Sequence, residues 1–308
     1  MGRIGIAAAE VYHVFSDRVS KWYNLCGENI SSYNRGTEYR QEIKLDDRKK
    51  VLDRIKLFVL DMDGTFYLGE DLIQGSLEFL DAVRATGRDF IFFTNNSSKS
   101  VSLYIDKLNR MGCSIDRSGI MTSGDVTTEF LNTNRRGKTV YLMGTQALIS
   151  EFEAAGIPLV YDEQPDIVVA AFDTELTYHK LERACTYIRD GAEFLSTHLD
   201  INCPTETGFI PDCGAMCACI SLSTGREPRF LGKPFRETVD MVLERTGYAR
   251  EEVAFVGDRL YTDVATGVRN GANGILVLSG ETHSEDIAKS DVRPDAVFDD
   301  LAEMIPLL

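Results

Sequence analysis

From residue 56 onward the apolar residues fall in short unbroken runs, not in the alternation of a half-exposed strand: "KLFVL", "DFIFFT", "TVYLMG", "DIVVAAF", "VAFVGD" and "GILVLSG". Each run ends in polar residues or glycine and leads into a stretch with helical spacing. Runs that are apolar at every position mark strands buried on both faces, and strands alternating with helices mark a parallel sheet covered on both sides. The pattern therefore predicts an α/β fold built on a doubly wound parallel sheet. Residues 1–50 differ. "AAAEVYHVFSDRVSKWYNL" has mixed helical periodicity and contains Trp22, while "GENISSYNRGTEYRQEIKLDDRKK" is polar and turn-rich, so an appended helix and linker are expected there.

In doubly wound sheets ligands bind beyond the carboxyl ends of the strands, where the order of connections reverses. The residues just after the apolar runs are Asp61 and Asp63, Thr94 and Asn95, and Gly257 and Asp258. None of these strand ends opens a G-x-G-x-x-G, and no G-x-x-x-x-G-K-[ST] occurs, so dinucleotide and Walker-type sites lose their support. In "LGKPFRETVDMVLERTG", Pro234 suits a first helical position and Gly247 a helix end. Lys233 is thereby expected at the mouth of a helix, where an anion is stabilised. If the strands are neighbours, Asp61, Asp63, Asp258 and Asp263 converge with Thr94 and Lys233. Crowded carboxylates need a cation, and an all-oxygen set favours Mg²⁺. Such a site suits phosphoryl transfer, with one carboxylate as nucleophile and a second as proton donor to the leaving alkoxide.

The charge narrows the ligand further. With 33 basic and 48 acidic residues the net charge is -15, which repels a nucleic acid duplex or an anionic membrane over most of the surface. The partner is then a small phosphorylated molecule met locally by cations. Arg3, Glu10, Asp17 and Arg18 interrupt the first twenty residues, which do not read as a signal peptide, and no later apolar run reaches the length of a membrane span. Seven cysteines, an odd number, argue for reduced thiols and a cytoplasmic location.

Taken in order, "DMDGT", "FFTNNS", "LGKP" and "GDRLYTD" resemble the four motifs of the haloacid dehalogenase superfamily of phosphatases, over residues 55 to the C-terminus. The resemblance implies that Asp61 is the nucleophile and Asp63 the general acid and base. It implies that Gly64 leaves room for the backbone to approach the phosphate, and that the Thr94 hydroxyl, the Asn95 N–H and Lys233 hold the phosphoryl oxygens. Mg²⁺ would be held by Asp61, Asp258 and the main-chain carbonyl of Asp63, with Asp263 orienting Lys233 or a metal-bound water. A dehalogenase needs no proton donor and the transport ATPases of the superfamily resemble each other in a threonine at the second position, so Asp63 favours a phosphomonoesterase.

The spacing places a second domain. From Asp61 to Thr94 is 33 residues, enough for a loop, a helix and a strand, whereas Thr94 to Lys233 is 139, far beyond a βα crossover of ~30. An α/β domain is expected at 134–227, inserted into a core of 51–133 and 228–308, with "TVYLMG", "DIVVAAF", "EFLST" and "MCACI" as its strands. It looks like the type II cap of the branch that includes 4-nitrophenyl phosphatase, phosphoglycolate phosphatase and NagD-like enzymes, and it implies a homodimer through the cap's exposed face. A β-phosphoglucomutase-like cap would lie between the first two motifs, where 33 residues leave no room. Where that branch has "ATNPD" and "PG.GA", this chain has "THLD" and "PDCGA", so His198 and Asp212 are candidate specificity residues; a surface loop is the other reading of His198. Cys213, Cys217 and Cys219 lack zinc spacing and read as buried thiols. The acidic "DAVFDDLAEM" reads as a last strand and a final helix. Among other classes, a response-regulator receiver is too short and places its acidic residues before the threonine and lysine; a non-catalytic protein that binds phosphate ligands on the same fold is the alternative.

Overall fold

The structure, a computed structural model, describes residues 45–205 and 208–308. The helix and linker expected before residue 45, with Trp22, lie outside the described residues. Helix α1 (Leu45–Arg54) precedes strand β1 (Leu57–Leu60), the short flap β2 (Tyr67–Leu68) and β3 (Asp71–Leu72), helix α2 (Ser76–Ala85) and strand β4 (Asp89–Thr94). Helix α3 (Val101–Arg110), β5 (Ile120–Thr122) and α4 (Ser123–Asn134) follow. A second group comprises β6 (Val140–Met143), α5 (Gln146–Ala154), β7 (Ile167–Ala170), α6 (Tyr178–Arg189), β8 (Glu193–Ser196), β9 (Asn202–Thr205), β10 (Gly208–Pro211), α7 (Cys213–Thr224) and β11 (Arg229–Phe230). The chain returns through α8 (Arg236–Thr246), β12 (Val253–Gly257), a π-helical turn (Leu260–Val264), α9 (Ala265–Arg269), β13 (Asn273–Val277), α10 (Ser284–Lys289), β14 (Ala296–Phe298) and a closing 3₁₀ turn (Ala302–Leu307).

Six strands form one parallel sheet in the order β14-β13-β12-β1-β4-β5. The chain builds outward from β1 to β5 on one side and from β12 to β14 on the other, so the connections reverse between β1 and β12. Both faces are covered, which is why the strands carry no polar alternation. Phe58, Leu60, Phe92 and Val256 enter one cluster, while Leu57, Val59, Phe93 and Phe255 enter the other with Val126 of α4 and Val239 of α8. The smaller sheet, in the order β11-β8-β7-β6, is also parallel. Its Val140, Leu142, Val169 and Leu195 join that second cluster, and its Tyr141, Met143, Val168 and Phe194 pack with residues of α6 and α7. One apolar layer therefore runs from the main sheet into the smaller one. The edge strand β11 lies two residues past 227, and α1 runs across residue 50, packing Val51 and Leu52 on the main sheet.

Several expectations need correction. "MCACI" is helix, within α7, where the Asp212 side chain accepts from the Cys213 N–H and Gly225 closes the helix at φ 73°. The stretch is made of small residues without polar alternation, so its pattern did not separate strand from helix; the two caps did. Cys213 and Cys217 are buried, but Cys219, on the outer side of the helix, is exposed. Pro234 is not the first residue of α8, which starts at Arg236, because the Lys233 backbone is taken by the Asn95 side chain (Lys233 N–H to Oδ1 2.9 Å; Asn95 Nδ2 to Lys233 O 3.1 Å). The chain after β14 ends in a 3₁₀ turn in place of an α-helix. No helix among the described residues is long and apolar enough to cross a membrane.

Candidate active site

The reversal point between β1 and β12 opens into a cavity. Asp61, Asp63, Thr94, Asn95, Lys233 and Asp263 all line it. Each arrives from a strand end or the turn beyond it: Asp61 and Asp63 after β1, Thr94 and Asn95 at β4, Asp263 from the π turn after β12, and Lys233 from the segment returning from the smaller sheet.

Lys233 Nζ donates to Asp61 Oδ1 and to Asp263 Oδ1, each at 2.5 Å, with its side chain only 4% exposed. Burial works against this ammonium, but Asp263 and Asp61 outweigh it and raise its pKa. One oxygen each from Asp61, Asp258 and Asp263 lie within 4.8 Å of one another. At that distance and an effective dielectric of ~20, each like-charge pair costs about 3–4 kcal/mol, and one ammonium among three carboxylates leaves the cluster with a net negative charge when all are ionised. Burial and the neighbouring carboxylates accordingly raise Asp61 well above the usual carboxylate range, and burial and Asp263 push Asp258 up to about 7.

Asp258 is held by donors on one side. Its Oδ2 accepts from the Glu281 N–H at 2.6 Å, while its buried Oδ1 has no hydrogen-bond partner among the described residues. Two glycines make this possible: a Cβ on Gly64 (φ 83°) would stand 2.5 Å from Asp258 Oδ2, and one on Gly280 would stand 2.1 Å from it. The space beside Gly64 is filled by the Asp258 carboxylate. Asp263 nests in the same way against Gly257, where a Cβ would lie 2.3 Å from its Cγ.

Asp63 stands at the mouth, open to solvent on one side, with Tyr67 Oη donating to its Oδ2 at 3.4 Å. Desolvation by the cavity walls raises its carboxyl, against Lys107, Lys99 and Arg259. The β9–β10 hairpin and the residues flanking it close the cavity with Asp200, Cys203, Pro204 and Asp212. Asp200 and Arg259 are residues to which the sequence assigned no role, although each sits inside a quoted motif. Asp200 Oδ2 accepts from Asn95 Nδ2 at 2.9 Å, and Asn95 in turn bonds both backbone groups of Lys233. The smaller sheet is thus tied to the loop that positions Lys233. His198 is neither a surface residue nor part of the cavity wall: it is fully buried behind it, with Nε2 2.9 Å from Asp212 Oδ1.

Comparison with known proteins matches the same stretches. Residues 58–158 fit a family described as haloacid dehalogenase-like hydrolase, and residues 230–304 fit one described as HAD-hydrolase-like. An acid sugar phosphatase of Staphylococcus saprophyticus is 37% identical over 250 residues, 81% of this chain and 96% of that protein. The crystal structure of a 4-nitrophenylphosphatase from Thermotoga maritima is 45% identical and superposes with a TM-score of 0.80, covering 83% of this chain and 98% of that one. NagD from E. coli K-12 is 31% identical with a TM-score of 0.75, covering 81% and 98%. The chain belongs to the haloacid dehalogenase-like hydrolases, in their phosphatase branch with the 4-nitrophenylphosphatases and NagD.

Proposed function

We propose that this phosphatase hydrolyses small phosphomonoesters, sugar phosphates foremost, with Asp61 as nucleophile and Asp63 as general acid and base. The observation that carries the reading is the Lys233–Asp61 contact at the sheet's reversal point, where an ammonium fixed by Asp263 aims one carboxylate into the cavity. The substrate class draws on the relatives named acid sugar phosphatase.

Asp61 forms a bond from a carboxylate oxygen to phosphorus while the bond from phosphorus to the alcohol oxygen breaks. Asp63, whose raised pKa favours the protonated form, gives its proton to the departing alkoxide. A water then attacks the aspartyl phosphate, losing its proton to Asp63, and inorganic phosphate leaves Asp61 as a free carboxylate. Lys233, the Thr94 hydroxyl and the Asn95 N–H hold the phosphoryl oxygens through both steps. An unpartnered buried oxygen, Asp258 Oδ1, on a carboxylate clustered with Asp61 and Asp263 fits a hard divalent cation such as Mg²⁺. Asp61, Asp258 and the Asp63 carbonyl would hold it, and its charge would neutralise the phosphoryl oxygens.

Phosphate release from a panel of sugar phosphates and 4-nitrophenyl phosphate, with Mg²⁺, tests this. Asp61→Asn is expected to lower kcat by at least ~10³-fold in a folded protein. Asp63→Asn should cost alkyl phosphates ~10²-fold or more and 4-nitrophenyl phosphate much less, since nitrophenolate leaves without a proton. Near wild-type turnover by Asp61→Asn, or equal losses for both ester types, would contradict these roles; a folded wild type that releases no phosphate would favour ligand binding without catalysis.

A further inference from the structure

Two of the groups that hold the phosphoryl oxygens in the reading above, the Asn95 N–H and Lys233, are fastened to each other by one side chain. The Asn95 amide takes both backbone groups of Lys233, Oδ1 accepting from its N–H at 2.9 Å and Nδ2 donating to its carbonyl at 3.1 Å. The second hydrogen of Nδ2 goes to Asp200 Oδ2 at 2.9 Å. Both amide hydrogens are then used, and reversing the amide would set donor against donor at the Lys233 N–H and acceptor against acceptor at the Lys233 carbonyl and at Asp200. Asn95, Lys233 and Asp200 are all buried, where a lost partner is costly.

Asp200 reaches this amide from a firm seat between β8 and β9. Its carbonyl accepts from the Gly214 N–H in the first turn of α7 at 2.8 Å, and a Cβ on Gly214 would stand 2.8 Å from that oxygen and 2.1 Å from the carbonyl oxygen of Leu199, so glycine is what lets the helix come this close. The residue before Lys233 rests on the same segment. The Gly232 N–H donates to the Thr197 carbonyl at 2.7 Å, and a Cβ there would stand 2.5 Å from that oxygen and 2.7 Å from Asn95 Oδ1. Residues 197–200 therefore hold Lys233 twice, through the backbone of Gly232 and through Asn95.

We infer that Asp200 is a positioning residue of the phosphatase site: through the Asn95 amide it fixes the Asn95 N–H and the Lys233 ammonium in the places from which they hold the phosphoryl group, without itself touching the substrate. The inference rests on the phosphatase reading above. Lys233 Nζ also bonds Asp61, so a shift of the lysine disturbs the nucleophile as well. A misplacement of about 1 Å can cost ~10²-fold in rate.

Asp200 lines the cavity, so the competing role is direct contact with the esterified alcohol. Steady-state kinetics with 4-nitrophenyl phosphate and glucose 6-phosphate, with Mg²⁺, separates the two. Asp200→Ala is expected to lower kcat by about tenfold or more, by the same factor for both esters, since both present the same phosphoryl group. Asp200→Asn keeps an oxygen for Asn95 and should bring kcat back to within about threefold of wild type. In an Asn95→Ala background, Asp200→Ala should cost less than about twofold further, because the side chain through which it acts is gone. Asp200→Thr, whose hydroxyl stops one bond short of the carboxylate oxygens, takes the place of the alanine variant if that one does not fold. A loss confined to KM or clearly different for the two esters, an Asp200→Asn variant as slow as alanine, losses that multiply in the double variant, or an unchanged kcat in Asp200→Ala overturns the inference and leaves the phosphatase reading standing. Wild-type failure on both esters overturns both together.

Discussion

A buried imidazole stays charged when the field of a neighbouring carboxylate exceeds the desolvation that burial imposes. At His198 burial pulls the pKa down, but Asp212 and its neighbours outweigh it, and the value stands at about 9, against 6.5 in an unfolded chain. Because the folded form holds its proton more tightly, the stabilisation is fully present below about pH 6.5 and is lost as pH rises through about 9. It amounts to about 3 kcal/mol across that window. Urea unfolding of wild type and His198→Gln at pH 6.5, 8 and 9.5 should show a stability difference that shrinks with rising pH; a difference independent of pH would show that the ring is neutral in the fold. At this scale the residues that meet at the candidate site were legible because Asp61, Asp63, Thr94, Asn95 and Asp258 lie at or just beyond strand ends, and position along the chain sets their place. The His198–Asp212 pair was legible only as two separate candidates, since its partners are 14 residues apart and meet only when the hairpin of β9 and β10 folds back.

Among the helices, α4 has the most complete start. Thr122 Oγ1 accepts from the Asp125 N–H at 3.1 Å and Asp125 Oδ2 accepts from the Thr122 N–H at 3.0 Å, a reciprocal capping box. The helix carries Val126, Phe130 and Leu131 into the apolar layer shared by the two sheets, so fraying at its start would loosen both. Thr122→Ala should therefore cost about 1–2 kcal/mol in urea unfolding. A loss below ~0.3 kcal/mol would mean that the end is satisfied in another way, for instance through Arg117, which also pairs with Asp125. Elements of four or more apolar residues were legible from the sequence. The three-residue β5 was not, being too short to carry a pattern and stabilised by its neighbour in the sheet; β14, as short, was read as a last strand in "DAVFDDLAEM". Helix α7 was misread for a related reason: with small residues throughout, its conformation depends on Asp212, Gly225 and packing on β7, beyond any periodicity of its own.

Over the whole molecule, the net charge of -15 and the carboxylate cluster at the reversal point act in the same direction. A divalent ion that binds the folded state alone stabilises it by mass action, about 2.7 kcal/mol at a concentration 100 times its Kd. Thermal unfolding with Mg²⁺ and with chelator should differ by several degrees, and Asp258→Asn should abolish most of the difference. An equal Mg²⁺ effect in that variant would place the ion elsewhere on the acidic surface.

The sequence by itself determined the parallel α/β class, the order of the four motifs and, in the 139-residue step from Thr94 to Lys233, room for more strands and helices than one crossover needs. These follow from local apolar runs and from chain length, which no folding partner alters. Only the tertiary structure decided that Asn95 binds Asp200 and the Lys233 backbone together, that Gly64 yields its space to Asp258, and that His198 lies behind the wall with Asp212 in it. Those facts depend on where two sheets meet, and the meeting is set by an apolar layer to which β1, α4, β6 and β7 contribute from distant parts of the chain.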